Sequence, residues 1–311
     1  MEILFYRYNS ICEPDILQTF ESFGITVHTE ELEMHDKGVT PQTCSARVAE
    51  WILSHPLSFV FSINFFPAIS YTCEHFHIPY VCWSVDSPVP ELFSNALKNR
   101  CNRIFLFDKA QYDFFSPYNP SGIFYLPLAT NVKRWEQVVL SMTEDDYARY
   151  GADVSFVGSL YTEKCKYDAL VSQGLLSQYT RGFVDGLLEA QLHVYGYNFI
   201  YDNLTDRVIR EIADADPQFY HGTDTFMDTD RYLVAHQYLG MKLAAVERQR
   251  TLAALSEKFS VALYTRSDVS ALPHIQARGG VSTLTEMPKV FQASRINLNI
   301  TMRPIETGLS L

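Results

Sequence analysis

Short runs rich in β-branched and aromatic residues recur along the first part of the chain: EILFYRY, GITVH, SFVFSIN, PYVCWSV, RIFLFD and GIFYLPL. Runs of this kind predict strands. Between several of them the apolar residues are spaced for one helix face, as in TCSARVAEWILSH and KAQYDFFSPY. Strands alternating with helices predict an α/β domain whose parallel sheet is covered on both faces and joined by right-handed crossovers. The more polar stretch TNVKRWEQVVLSMTEDDYARYGA is expected to cross between domains, and DVSFVGSLY then opens a second α/β unit with a strand ending at Gly158. From Tyr161 to about Lys258 nearly every segment has helical character, including RGFVDGLLEAQLHVYG and the run from Asp228 onward. A simple crossover needs far fewer residues, so a helical insertion is expected there. Strand pattern returns at SVALYTRSD and RINLNIT. The expected division is therefore a first domain over 1–135 and a second over 136–311, the insertion occupying about 161–258.

Composition supports two domains of ordinary size. A chain of 311 residues, 47% hydrophobic and 20% charged, exceeds what one core usually serves and can bury full cores. The formal charge of −11, with no Lys/Arg run, argues against a nucleic-acid groove or an anionic membrane surface. MEILFYRY has no basic region leading an apolar stretch and reads as a first strand, not a signal peptide. The most apolar region, LSFVFSINFFPAIS, is broken by Ser, Asn and Pro and is too short for a transmembrane segment. A cytoplasmic location is expected. The cysteines, Cys12, Cys44, Cys73, Cys82, Cys101 and Cys165, form no CxxC pair and read as buried reduced thiols. CEHFH invites a metal through Cys73, His75 and His77, but residues two apart on a helix diverge, so no metal is expected.

Chemistry is expected where strands stop. VCWSVDSPVPEL reads as a buried strand that ends in Asp86, Ser87 and two prolines. In open parallel sheets, ligands bind beyond the carboxyl ends of the strands. That rule selects Asp86, Asn64 after FSIN, the Gly158–Tyr161 turn, Thr265 and Arg266 after VALY, and the segment Thr301–Gly308 after INLN. Each has a plainer reading: Asp86 as the N-cap of a helix starting near Pro90, Asn64 as a turn residue, Gly158 as a helix-start glycine. Their joint placement at strand ends favours the functional one. No GxGxxG follows the first strand, no GxxxxGK[ST] occurs and GxSxG is absent, so dinucleotide, P-loop and α/β-hydrolase chemistry lose their main support.

The segments VFSINFFPAISYTCEHFHIPYVCWSVDSP, LYTRSD and TEMPKVFQASRINLNITMRPIETGLSL resemble the CgeB-like, spore-maturation type glycosyltransferases. That resemblance implies a GT-B architecture: two Rossmann-like domains facing a cleft, the first on the acceptor side and the second binding a nucleotide-sugar. It implies no cofactor, a donor substrate that is a UDP-sugar in the first instance, and a protein or cell-surface glycan as acceptor. Gly158 and Tyr161 then match the turn that opens the donor domain. Thr265, Arg266, Glu286, Met287 and Pro288 match loops around the nucleotide, and Arg303, Thr307 and Gly308 match the segment leading toward the diphosphate. Asp86 is the candidate base, with Asn64 and Ser87 beside it on the acceptor side, while Arg266 and Arg303 are candidates to stabilise the leaving diphosphate.

The family continues with further strands and a ribose-holding carboxylate that this sequence lacks. A sheet stopped after its fourth strand exposes an edge, so either the chain is a truncated form or another subunit, in a homo-oligomer or a partner complex, covers it. Weak or absent transfer by the chain alone is the corresponding expectation. The alternative function is a non-catalytic protein that binds a sugar, a nucleotide or a partner. The tyrosine-rich VYGYNFIYDNL could serve as an interface, although buried packing explains it more simply.

Overall fold

The computed structural model describes residues 1–220, 222 and 224–305. The chain divides into two compact units.

Among the described residues the first unit comprises Met1–Ala129 together with Gly222, the short segment 224–229 and Ile305. Its strands are β1 (Glu2–Tyr6), β2 (Thr26–Glu30), β3 (Phe59–Ile63), β4 (Tyr80–Ser84), β5 (Asn102–Leu106) and β6 (Ile123–Tyr125). All neighbours are parallel, in the order β2-β1-β3-β4-β5-β6. Each of the six predicted runs forms a strand. The order means that the chain moves outward from β1 to β2 and then reverses across β1 to β3. Ile3, Leu4 and Phe5 are fully buried, as expected for a central strand covered on both faces. Phe5 packs edge-on against Phe61 with centroids 4.9 Å apart, and Phe20 joins them from the crossover helix Glu13–Ser22. The next helix, Pro41–Ser54, starts where Thr40 accepts a hydrogen bond from the Thr43 N–H and proline occupies the first turn, both favourable helix-start devices.

The second unit holds a four-stranded sheet of β7 (Val154–Val157), β8 (Val261–Tyr264), β9 (Gln276–Ala277) and β10 (Ile296–Asn297). Its order is β10-β7-β8-β9, again all parallel. Read from β9, this is the 3-2-1-4 order of doubly wound sheets, with the reversal between β7 and β10. Between β7 and β8 lies the helical insertion. It includes Lys166–Ser172, Gln178–Leu192, Asp206–Ala215 and a helical run from Asp230 to Ser256 that contains a π-helical turn at Val234–Leu239. The insertion has a core of its own, with Val184, Ile200, Val208, Ile212, Val234 and Leu243 at its centre. Phe156, Leu160, Leu252, Val261 and Leu263 form a separate core under the sheet.

Three details differ from expectation. The stretch expected to cross between domains instead forms helices Val132–Leu140 and Glu144–Tyr150, which belong to the second unit. They are held to helix Met287–Ala293 by the Trp135–Phe291 stack at 5.8 Å and by Lys289, whose Nζ lies 3.0 Å from both Asp146 oxygens. The segment Asp224–Thr229, expected in the insertion, lies in the first unit. In VYGYNFIYDNL the tyrosines Tyr195, Tyr197 and Tyr201 are exposed, and Ile200 and Leu204 supply the buried packing. All six cysteines are free thiols, and burial pushes the Cys44 thiol up to about 11. Among the described residues no helix is long and apolar enough to cross a membrane.

Candidate functional site

In the first sheet the carboxyl ends of β1, β3 and β4 run into Tyr8, Asn64 and Asp86. Asn64 takes a left-handed backbone conformation, φ 58°, which asparagine tolerates better than most residues. This places its amide among the three strand ends. Its Nδ2 donates to the Tyr8 hydroxyl at 2.9 Å and to Asp86 Oδ2 at 2.6 Å, while its Oδ1 accepts the Val85 N–H at 3.0 Å. Asp86 is exposed, so one carboxylate oxygen is oriented by Asn64 in a residue open to solvent. The Asp86 side chain is no helix cap: the 3-10 turn Pro90–Phe93 is preceded by Val89 and has no side-chain cap.

Tyr8 is fixed from below by buried Glu13, which is 1% exposed. Glu13 Oε1 accepts the N–H groups of Tyr8 and Ser10, both at 2.9 Å, and Oε2 accepts Arg7 Nε at 3.0 Å. Lys37 donates to the Tyr8 carbonyl at 2.6 Å. Burial holds the Tyr8 phenol well above the usual range, with the charge of Asp86 adding to the effect, so the hydroxyl stays neutral. Burial likewise raises the nearby Cys12 thiol, and Asp86 contributes again. Ser87 is buried and donates to Asp108 Oδ2 at 3.0 Å. Asp108 caps helix Lys109–Phe115, so Ser87 serves the next strand end and not the Asn64–Asp86 pair.

In the second sheet, Gly158 and Tyr161 lie in the turn after β7. The Leu160 N–H donates to Ser267 Oγ and the Tyr161 N–H to Ser159 Oγ, both at 2.9 Å, and Tyr161 is left-handed at φ 63°. Thr265 is buried and its hydroxyl accepts the Ser267 N–H at 3.1 Å, so it shapes the turn after β8. Thus Gly158, Tyr161 and Thr265 are brought together around the ends of β7 and β8. Arg266 is exposed, makes no ion pair among the described residues and lies across Gly280, where an added Cβ would come within 2.8 Å of its Cγ.

Other predicted donor-side residues have different surroundings. Glu286, just before helix Met287–Ala293, accepts the Ser282 N–H at 2.9 Å and the Tyr150 hydroxyl at 2.7 Å, which hold its carboxyl below the usual carboxylate range. Met287 and buried Pro288 form the first turn of that helix. Arg303 is clasped by Glu247 through two bonds of 3.2 and 2.7 Å, donates to the carbonyls of Gln191 and Val194, and stacks on Tyr195. It is committed to the insertion. Thr307 and Gly308 lie outside the described residues.

Sequence reasoning missed Tyr8, which needed knowledge that β1 adjoins β3, and Arg248. Arg248 comes from helix Gly240–Ser256. It donates through Nη1 to the Ser159 carbonyl at 2.5 Å and through Nε and Nη2 to the Ile300 carbonyl at 3.1 and 2.7 Å. Its guanidinium lies 4.3 Å from the Tyr161 ring centroid. Among the described residues no group of three or more His, Cys, Asp or Glu could hold a metal ion. Cys73 is buried on helix Pro67–Phe76, and His77 ends that helix in a left-handed conformation. A scan of the sequence against models of known protein families finds no match, and a search of curated proteins finds none either.

Proposed function

We propose that this chain is a CgeB-like glycosyltransferase of the GT-B class, moving a sugar from a nucleotide-sugar, a UDP-sugar in the first instance, to a hydroxyl of a protein or glycan acceptor. The observation that supports this reading is the Tyr8–Asn64–Asp86 cluster at the β1/β3 reversal, the place where doubly wound sheets hold ligands. A base for an acceptor hydroxyl must be an accessible carboxylate in a fixed orientation, and Asp86, exposed and held by Asn64, meets both needs. The second sheet has the strand order of nucleotide-binding folds. At its strand ends Arg266, exposed and without an ion pair among the described residues, is the candidate to meet the departing diphosphate. Arg303 is set aside from that role because Glu247 already neutralises it.

Incubation of the full chain with a panel of nucleotide-sugars, with released nucleoside diphosphate as the readout, tests the reading. Asp86→Asn is expected to lower transfer by about 100-fold or more while leaving affinity for the nucleotide unchanged. A fully active Asn variant removes Asp86 from the mechanism. A folded wild-type chain that binds nucleotide without turnover returns the protein to the class of non-catalytic binders.

A further inference from the structure

Among the described residues, Arg248 is the only basic side chain that is buried, at 7% exposure. The acids in comparable positions have partners: Glu13 is paired with Arg7, and Glu30 with Arg47. Arg303 and Glu247 neutralise each other. Arg248 donates to the carbonyl oxygens of Ser159 and Ile300 and forms no ion pair with a carboxylate among the described residues; Tyr161 and the charge of Glu247, which Arg303 already clasps, favour its charged form without such a pair. Carbonyl dipoles offset only part of the cost of burying a charge that has no paired counter-ion. Burial lowers the affinity of this guanidinium for its proton, as it must for a cation removed from water.

Location gives that cost a meaning. Ser159 follows β7 and Ile300 follows β10, so the guanidinium bridges the two strand ends across the reversal of the second sheet. A guanidinium carries five N–H groups. Three are donated to these two carbonyls, which leaves two for a ligand. One face rests on Tyr161, a bulky residue kept in the left-handed region, where L residues pay in strain. A planar fork with spare donors and no ion-paired carboxylate among the described residues suits a phosphate oxygen pair.

We propose that Arg248 is a diphosphate-binding and positioning residue: it holds the ends of β7 and β10 together and its guanidinium, without an ion-paired carboxylate among the described residues, receives a phosphate group of the ligand. This rests on the nucleotide-sugar reading and adds to it a residue from the helix that precedes β8. Binding of the anion supplies a directly paired counter-charge, so ligand affinity and stability of the second unit are coupled through this side chain.

Calorimetric titration of the full chain with inorganic pyrophosphate and with UDP, alongside thermal melts with and without each, tests the inference. Wild type is expected to bind both, more weakly as salt rises, and to melt higher when bound. Arg248→Met should lose about 30-fold in affinity and lose the ligand-induced rise in melting temperature. Arg248→Lys keeps the charge but cannot bridge both carbonyls and still present a fork, so it should fall between the two. If the Met variant does not fold, the Lys variant decides, and undiminished affinity in it overturns the inference. UDP binding and sugar transfer that are indifferent to Arg248 would sink the inference and leave the transferase reading standing. Arg248-dependent pyrophosphate binding without turnover of any nucleotide-sugar would do the reverse.

Discussion

Asn64 shows how one residue can set a strand-end geometry. A left-handed backbone costs an L residue roughly 1–2 kcal/mol, less for asparagine, and it persists only where surrounding contacts hold it. Here the amide bonds to Tyr8, Asp86 and Val85 do so. The two contributions separate by substitution. Asn64→Gly removes the amide but frees the backbone, whereas Asn64→Ala removes the amide and retains a Cβ at φ 58°. The Ala variant should therefore be less stable than wild type by about 2–3 kcal/mol and the Gly variant by about 1 kcal/mol less than that. Urea denaturation followed through Trp51 and Trp83 of the first unit, with Trp135 replaced by Phe, reads the difference. Equal losses in the two variants would assign the whole effect to hydrogen bonds. Both variants free Asp86 from its donor, so under the proposed transferase function both should impair transfer to a similar extent.

At the scale of elements, the long helical run Asp230–Ser256 owes a close approach to one missing side chain. Gly240 is buried within it, and a Cβ there would lie 2.4 Å from Cγ of Pro304, part of a rigid ring that cannot swing away. Glycine in a helix interior ordinarily costs about 1 kcal/mol relative to alanine. At this position the sign should reverse, Gly240→Ala destabilising the second unit by about 1–3 kcal/mol through overpacking. Gly182 and Gly186 on helix Gln178–Leu192 are the controls, because a Cβ at either meets nothing within 4 Å. Alanine there should stabilise by up to about 1 kcal/mol. Thermal melts followed through Trp135 distinguish the cases. A stabilised Gly240→Ala would show that Pro304 is not held against the helix.

For the molecule as a whole, what could be read from the sequence was set by how local the cause is. Buried parallel strands are continuous apolar runs, so β1, β3, β7 and β8 announced themselves in their own residues, while the edge strand β2, Thr-Val-His-Thr-Glu, was legible only by its β-branched residues. The exposed dipeptide Gln276–Ala277 of β9 carries no such signal. Asn64 and Asp86 were legible because a strand that stops at a polar residue is a local pattern. Tyr8 and Arg248 were not, since their roles depend on which strand ends adjoin. Helices Val132–Leu140 and Glu144–Tyr150 looked like a linker because the helix they pack on, Met287–Ala293, lies far downstream. The first unit shows the same non-locality most sharply, for it takes in Asp224–Thr229, well beyond Ala129.

That segment is held by chemistry as well as by packing. Asp224 accepts the Tyr71 hydroxyl at 2.6 Å and Asn95 Nδ2 at 2.9 Å, bonds that keep its carboxyl below the usual range. The Phe226 N–H donates to the Phe93 carbonyl at 3.1 Å. The Phe226 ring lies 4.5 Å from Tyr118 and 6.1 Å from Phe93, with Lys98 4.9 Å from its centroid. The first unit is thus completed by residues translated roughly a hundred positions later, and its stability should depend on them. Phe226 is half-buried, so Phe226→Ala should cost the first unit about 2 kcal/mol, less than the usual core value. The loss should appear in a Trp135→Phe background, where Trp51 and Trp83 report, while the melt seen through Trp135 with those two replaced stays unchanged. Equal shifts in both would mean that the two units unfold as one, and no shift in either would mean that the segment contributes nothing to the first unit's stability.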